Sequence, residues 1–206
     1  MNFIIPVALN RELTPLRQHL SAVFAGEQDV RLIFKKITPG FRQPAEIGRI
    51  TGDVAINAGT AGAIDEMITP LQTFLASSFI NHQGQIIDQP ELFHNYKFLE
   101  TLMPVHWQRG RLLTVSEPVL SARTRQQFQT GYQAAAVDME AFTVARYCLQ
   151  KKMSFLSLKV ISDTADSETL LKFKQNLDKA IEILSEQLVI LIKILQENQE
   201  RMFLNG

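Results

Sequence analysis

The sequence predicts an α/β protein, and three observations carry that prediction. Apolar stretches short enough for strands alternate with runs of helical spacing along the chain. The clearest such unit begins with Ala134 to Val137, which stops at Asp138-Met139-Glu140. Ala141, Val144, Ala145 and Cys148 follow at helical spacing, and Phe155 to Ile161 is a second strand ending in Ser162-Asp163. Lastly, Leu170 to Asn205 is dominated by one amphipathic helix, with Leu177, Ile181, Leu184, Leu188 and Leu191 on the face that packs on a sheet. The two strands of the central unit are expected to be parallel. In open parallel sheets ligands bind outside the carboxyl ends of the strands, so Glu140 and Asp163 are the first candidates for chemistry.

The remaining elements follow in order. Phe3 to Ala8 reads as a first strand whose Pro6 suits an edge or a strand end. Asn10 is the expected N-cap of a helix running from Arg11 to Leu20 on Leu13, Leu16 and Leu20. Glu12 falls in its first turn, where acidic residues are favoured by the helix dipole alone, so a structural and a catalytic role both stay open. Val30 to Ile37 is the second strand, followed by a Thr38-Pro39-Gly40 turn carrying Arg42 and a weak helical run through Ala45, Ile47 and Ile50. Asp53 to Asn57 is the third, leading into a small-residue turn, Ala58-Gly59-Thr60-Ala61-Gly62-Ala63, that lets backbone approach a ligand closely. Leu71 to Phe79 and Arg111 to Ser116 are further strands, and Ser121 caps a polar helix over Ala122 to Gln129 whose Arg123 and Arg125 read as solvated.

Composition narrows the class. The chain has 206 residues, 46% hydrophobic and 20% charged, with 21 basic and 21 acidic residues. One domain spanning residues 1–206 is expected. With zero formal charge and no basic tract, neither nucleic acid nor an anionic membrane is an expected partner. Cys148 is the sole cysteine and lies on an apolar helix face, where packing is its expected role. His82, His94 and His106 match no compact metal-ligand spacing and read as exposed loop residues; no metal site is expected. The amino terminus lacks the pattern of a signal peptide and no apolar stretch is long enough to span a bilayer, so a cytoplasmic setting is expected.

Glu12, the glycine pair Gly59 and Gly62, Glu140 and Asp163 are thus directed toward one crevice. Such a set has no nucleophilic triad and no phosphate-binding lysine loop. Carboxylates suit a division of labour in which one protonates a leaving group while another orients hydroxyls or activates water, as in glycosyl transfer.

Val137-Asp-Met-Glu-Ala141 followed by Val160-Ile-Ser-Asp-Thr-Ala-Asp166 resembles the paired signature of the purine nucleoside phosphorylase and nucleosidase superfamily, nearest to methylthioadenosine/S-adenosylhomocysteine nucleosidases. Ile56-Asn-Ala-Gly-Thr-Ala-Gly62 is similar to that family's Asn-x-Gly-x-Ala-Gly segment, and Ile5 to Leu16 to its first strand and helix. The resemblance implies a three-layer α/β/α domain on a central mixed, mostly parallel sheet. It implies cleavage of the N-glycosidic bond of a purine nucleoside, with adenine as the expected base. Met139 would pack beneath the ribose, Glu140 would accept hydrogen bonds from its 2′ and 3′ hydroxyls, and Asp163, oriented by Ser162, would act as general acid toward the departing base. Glu12 would activate water. Thr60, Ala61 and Gly62 would line the ribose or nucleophile pocket, and Phe173 would cover the 5′ substituent. Val119 stands where the nucleosidases place an aromatic residue against adenine. A homo-oligomer, dimer or hexamer, is expected, and no cofactor.

The nucleophile is the open choice. Asn57 stands where some phosphorylases place a phosphate-binding arginine, and Glu12 would repel the anion, which favours water. Arg42 is the nearby cation that could hold phosphate as co-substrate. The alternatives are therefore a phosphorylase, including a branch associated with hopanoid synthesis that would take a large apolar 5′ group, and a non-catalytic nucleoside-binding member.

Overall fold

In a computed structural model of the chain, residues 1–37 and 52–203 are described. The expected Thr38-Pro39-Gly40 turn, Arg42 and the helical run through Ile50 lie outside the described residues. Among the described residues eight strands form one sheet: β1 (Asn2–Val7), β2 (Arg31–Lys36), β3 (Val54–Ala63), β4 (Thr73–Asn81), β5 (Ile86–Asp88), β6 (Gln108–Thr114), β7 (Ala136–Asp138) and β8 (Ser154–Asp163). The helices are α1 (Asn10–Val23), α2 (Gln89–Leu92), α3 (Tyr96–Leu102), α4 (Ala122–Tyr132), α5 (Ala141–Lys151), α6 (Thr169–Glu197) and α7 (Gln199–Phe203).

Five of the eight pairings between these strands are parallel and three antiparallel, so the sheet is mixed and mostly parallel. Strands β3, β7, β6, β4 and β8 close a ring, because β8 pairs back to both β3 and β4. Apolar side chains fill both faces. One layer sets α5 against the sheet through Phe142, Val144, Ala145 and Cys148. The other sets α1 and α6 against it through Leu16, Leu20, Leu184, Leu188 and Leu191. Burying each such side chain is worth roughly 1.5–3 kcal/mol, which is why the apolar stripe on α6 keeps its period from Leu177 to Leu195.

Four local expectations are corrected. First, the stretch Ala58 to Ala63 is no turn: β3 runs through it, paired in parallel with β8 from Val54 to Gly62. Glycine and alanine have little strand propensity, but here they supply the thinness that a crowded site requires. Second, β7 and β8 are not parallel. Both flank β3, β8 parallel to it and β7 antiparallel. Their carboxyl ends still meet, because Val137 and Asp163 are both register partners of Gly62, where a bulge shifts the β3–β8 pairing. The ends converge tip to tip rather than side by side.

Third, Asn10 is the first residue of α1 and Leu9 its N-cap. Leu9 N–H donates to the Glu12 carboxylate at 3.3 Å, so Glu12 satisfies the helix terminus that Asn10 is expected to satisfy. Fourth, Arg125 is half-buried and engaged. It donates to the Thr164 carbonyl at 3.2 Å and pairs with Glu66 at 3.1 Å, whereas Arg123 is exposed. Pro6 sits in β1 beyond the residues that β3 pairs, which explains how a strand flanked on both sides tolerates it. The segment from 80 to 110 contains β5, α2, α3 and the start of β6, with Trp107 buried. Among the described residues no helix is long and apolar enough to cross a membrane.

Candidate active site

The ends of β1, β3, β7 and β8, the first turn of α1 and the first turns of α6 enclose a cavity of about 270 Å³, near the lower end of the roughly 300–1,000 Å³ usual for small-molecule sites. Glu12, Thr60, Ala61, Gly62, Val119, Met139, Glu140, Ser162, Asp163 and Phe173 all line it. These ten come from six separate stretches of sequence.

Glu12 reaches in from α1 and is almost wholly buried. Its Oε1 accepts from Thr60 N–H and from Thr60 Oγ1, both at 3.0 Å, and its Oε2 from Leu9 N–H. Burial pushes its pKa above the usual carboxylate value; the field of Lys159 and the Thr60 donors oppose that shift without cancelling it. A Cβ on Gly59 would stand 3.4 Å from Glu12 Oε1, so the backbone of β3 lies directly against this carboxylate.

Lys159 belongs to none of the motifs that mark the other site residues. It projects from the middle of β8, is 1% exposed, and its Nζ lies 2.9 Å from Asp138 Oδ2 and 3.8 Å from Glu140 Oε2. Burial alone would drive its proton off, but Asp138 and Glu140 hold it on and raise its pKa. Asp138 is both cap and counter-ion: it accepts from Ala141 N–H at 3.0 Å and from Thr114 Oγ1 at 2.7 Å while pairing with Lys159. Its capping of α5 accompanies an ion pair with Lys159. Glu140, the N-cap residue of α5, is raised well above the ordinary carboxylate range, chiefly by burial, with Lys159 opposing and Asp138 adding to the shift. One signal does point to this cluster: a lone lysine inside the apolar run Phe155 to Ile161 has to be paired if that run is a buried strand.

Asp163 is held differently. Its Oδ2 accepts from Ser162 Oγ at 2.7 Å; its Oδ1 accepts from Ala165 N–H at 3.0 Å and Thr169 Oγ1 at 3.2 Å. Among the described residues no basic side chain is paired with it. A Cβ on Gly62 would fall 2.8 Å from Asp163 Oδ1, so glycine is required there for the carboxylate to lie across β3. Beside Thr169, the wall is apolar: Leu9, Val115, Pro118, Val119, Leu170 and Phe173.

Chemically, the cavity offers four carboxylates against one ammonium, with two of the carboxylates raised by burial. Such a set can take up a proton, release one and accept hydrogen bonds from hydroxyls. Among the described residues no His, Cys, Asp and Glu cluster is arranged to hold a metal ion. Arg42 lies outside the described residues.

The chain is 29% identical over 152 residues to the 5′-methylthioadenosine/S-adenosylhomocysteine nucleosidase of Staphylococcus aureus, a match covering 65% of this chain and 67% of that protein. Its fold is similar to that of the 5′-methylthioadenosine/S-adenosylhomocysteine nucleosidase of S. pneumoniae solved with a transition-state inhibitor, at a TM-score of 0.80 and 18% identity over 95% of this chain and 100% of the other. It is also similar to a futalosine hydrolase of Helicobacter pylori, at a TM-score of 0.79 and 16% identity over 94% and 99%. Residues 47–193 match the Phosphorylase superfamily, and the chain belongs to that family.

Proposed function

We propose that this chain hydrolyses the N-glycosidic bond of a nucleoside, a purine nucleoside with adenine as base. One observation carries the reading: Glu12, Glu140 and Asp163 line one small cavity in three different electrostatic settings. A binding site alone has no need of a buried, proton-hungry carboxylate opposite a second one framed by donors.

In the proposed reaction Glu140 accepts hydrogen bonds from the ribose 2′ and 3′ hydroxyls, and Met139 packs beneath the ring. As the bond between C1′ and the base nitrogen lengthens, its electron pair moves onto the base, and Asp163 supplies the proton or hydrogen bond that neutralises it. Oδ1 is occupied by Ala165 and Thr169, so that proton is carried on Oδ2, beside Ser162. Positive charge develops on the sugar ring, where the carboxylates of Glu140 and Glu12 stabilise it. Water adds to C1′ and gives a proton to Glu12, whose raised pKa suits a base working near neutrality. The products are free base and free sugar.

Water is favoured over phosphate by charge. Lys159 is the one cation among the described cavity residues, and it is already committed to Asp138 and Glu140. A phosphate dianion would meet carboxylates and no free cation among those residues. The apolar wall of Leu9, Val115, Val119, Leu170 and Phe173 supports an apolar 5′ substituent such as a methylthio group. The test is a panel of nucleosides, including methylthioadenosine and S-adenosylhomocysteine, followed by chromatography of base and sugar. Release of free adenine supports the reading; no release from any member overturns it. A chain built as one domain, working in the cytoplasm as a homo-oligomer, completes the proposal; size-exclusion chromatography with light scattering checks the assembly.

A further inference from the structure

The residues that grip the Asp163 loop come from one stripe of α6. Thr169, Lys172 and Asn176 recur at three- and four-residue spacing, and each bonds a consecutive part of Ser162-Asp163-Thr164. Thr169 Oγ1 reaches Asp163 Oδ1 at 3.2 Å, Lys172 Nζ reaches Thr164 Oγ1 at 3.0 Å, and Asn176 Nδ2 reaches the Ser162 carbonyl at 2.7 Å. Of the three side chains only Thr169 touches a carboxylate that lines the cavity.

Its hydroxyl has no choice of direction. Asp166 N–H donates to Thr169 Oγ1 at 2.8 Å, which occupies the oxygen as acceptor and leaves its single proton to Asp163 Oδ1. Thr169 is buried at the cavity wall. With Ala165 N–H on the same oxygen, these two donors fix the rotation of the carboxyl group and leave Oδ2 with Ser162 Oγ as its one partner.

We infer that Thr169 is the positioning residue for the general acid: it locks Asp163 by its oriented hydroxyl so that Oδ2 faces the departing base. This rests on the hydrolytic reading above. The same turn of α6 contributes Leu170 and Phe173 to the apolar wall, so the element that meets the 5′ group is the element that aims the acid. A 1 Å misplacement of a reacting group costs on the order of a hundredfold in rate, which sets the scale of the effect.

The experiment compares Thr169→Val, which keeps the shape and loses the hydroxyl, with Thr169→Ser, which keeps the hydroxyl, on methylthioadenosine. T169V is expected to lose about 10- to 100-fold in kcat with KM within about twofold of the parent, and T169S to recover kcat to within about threefold. Thermal midpoints of all variants are read alongside, and T169A is measured in the same way should T169V not fold. A kcat for T169V within about threefold of the parent overturns the inference. So does a loss that T169S fails to restore, or failure of T169V and T169A to fold while T169S folds, since the hydroxyl would then serve stability. A parent protein inactive on every nucleoside overturns the hydrolytic reading and this inference with it; an active parent with an unaffected T169V overturns the inference alone.

Discussion

Glu12 and Asp163 line the same cavity, yet Glu12 sits among charges and Asp163 among neutral donors. Glu12 shares its surroundings with Lys159, Asp138 and Glu140, and burial dominates its protonation. Asp163 is framed by two hydroxyls and one amide, with no ion pair among the described residues. In the proposed reaction this contrast separates an acid from a base made of the same functional group. A proton-accepting carboxylate is produced by desolvation with partial compensation from a cation. A carboxylate that must point accurately is produced by directional hydrogen bonds.

Each side can be broken separately. Glu12→Gln and Asp163→Asn should each lower kcat on methylthioadenosine by about 10²- to 10⁴-fold, the usual range for a general base or acid. The variants should then differ in what else changes. D163N keeps its frame and should hold both its fold and its affinity for free adenine, measured by calorimetry; loss of binding in step with turnover would remove the role assigned to Asp163.

Lys159→Met tests the charged side. Removing one partner of a buried pair typically costs about 3–5 kcal/mol, which at about 2–4 °C per kcal/mol for a chain of this size lowers the thermal midpoint by roughly 6–20 °C. A midpoint within about two or three degrees of the parent would show that Asp138 and Glu140 do not depend on this cation.

The glycines of β3 give a finer contrast. Gly62→Ala drives a Cβ to 2.8 Å from Asp163 Oδ1, so about a tenfold or greater loss of kcat is expected. Gly59→Ala places its Cβ 3.4 Å from Glu12 Oε1, an ordinary contact, and should retain most activity. Equal losses from the two would argue that both sides are equally tight.

The smallest effect is a pH dependence of stability. Glu12 has a folded-state pKa raised above its ordinary value of 4.5. A raised group contributes stability that is fully present below the unfolded value and is lost as pH rises through the folded one. E12Q cannot lose a proton, so its melting temperature should gain on the parent's as pH goes from about 5 to about 8. A constant difference across that range would contradict the raised pKa.

Much of this site is legible in the amino-acid sequence. Asp138-Met139-Glu140 and Ser162-Asp163 end apolar runs in carboxylates, and polar groups at strand ends are where an α/β fold collects its chemistry. The amphipathic stripe of α6 is legible because its period is unbroken. Other parts are hidden for physical reasons. Gly59, Thr60, Ala61 and Gly62 as a group favour a turn, so the continuation of β3 depends on its pairing with β8, a contact a hundred residues away. The direction of β7 is set by a three-residue strand pairing two neighbours of opposite sense. Lys159 and Thr169 matter through atoms they meet in space, and neither belongs to a motif that marks it.

In the proposed reaction water, and not phosphate, takes the glycosyl group. The decisive measurement follows methylthioadenosine cleavage with and without inorganic phosphate while identifying the sugar product. Free adenine and free methylthioribose, formed at the same rate in both, are the expected outcome. A phosphate-dependent rate with a sugar 1-phosphate as product would contradict it.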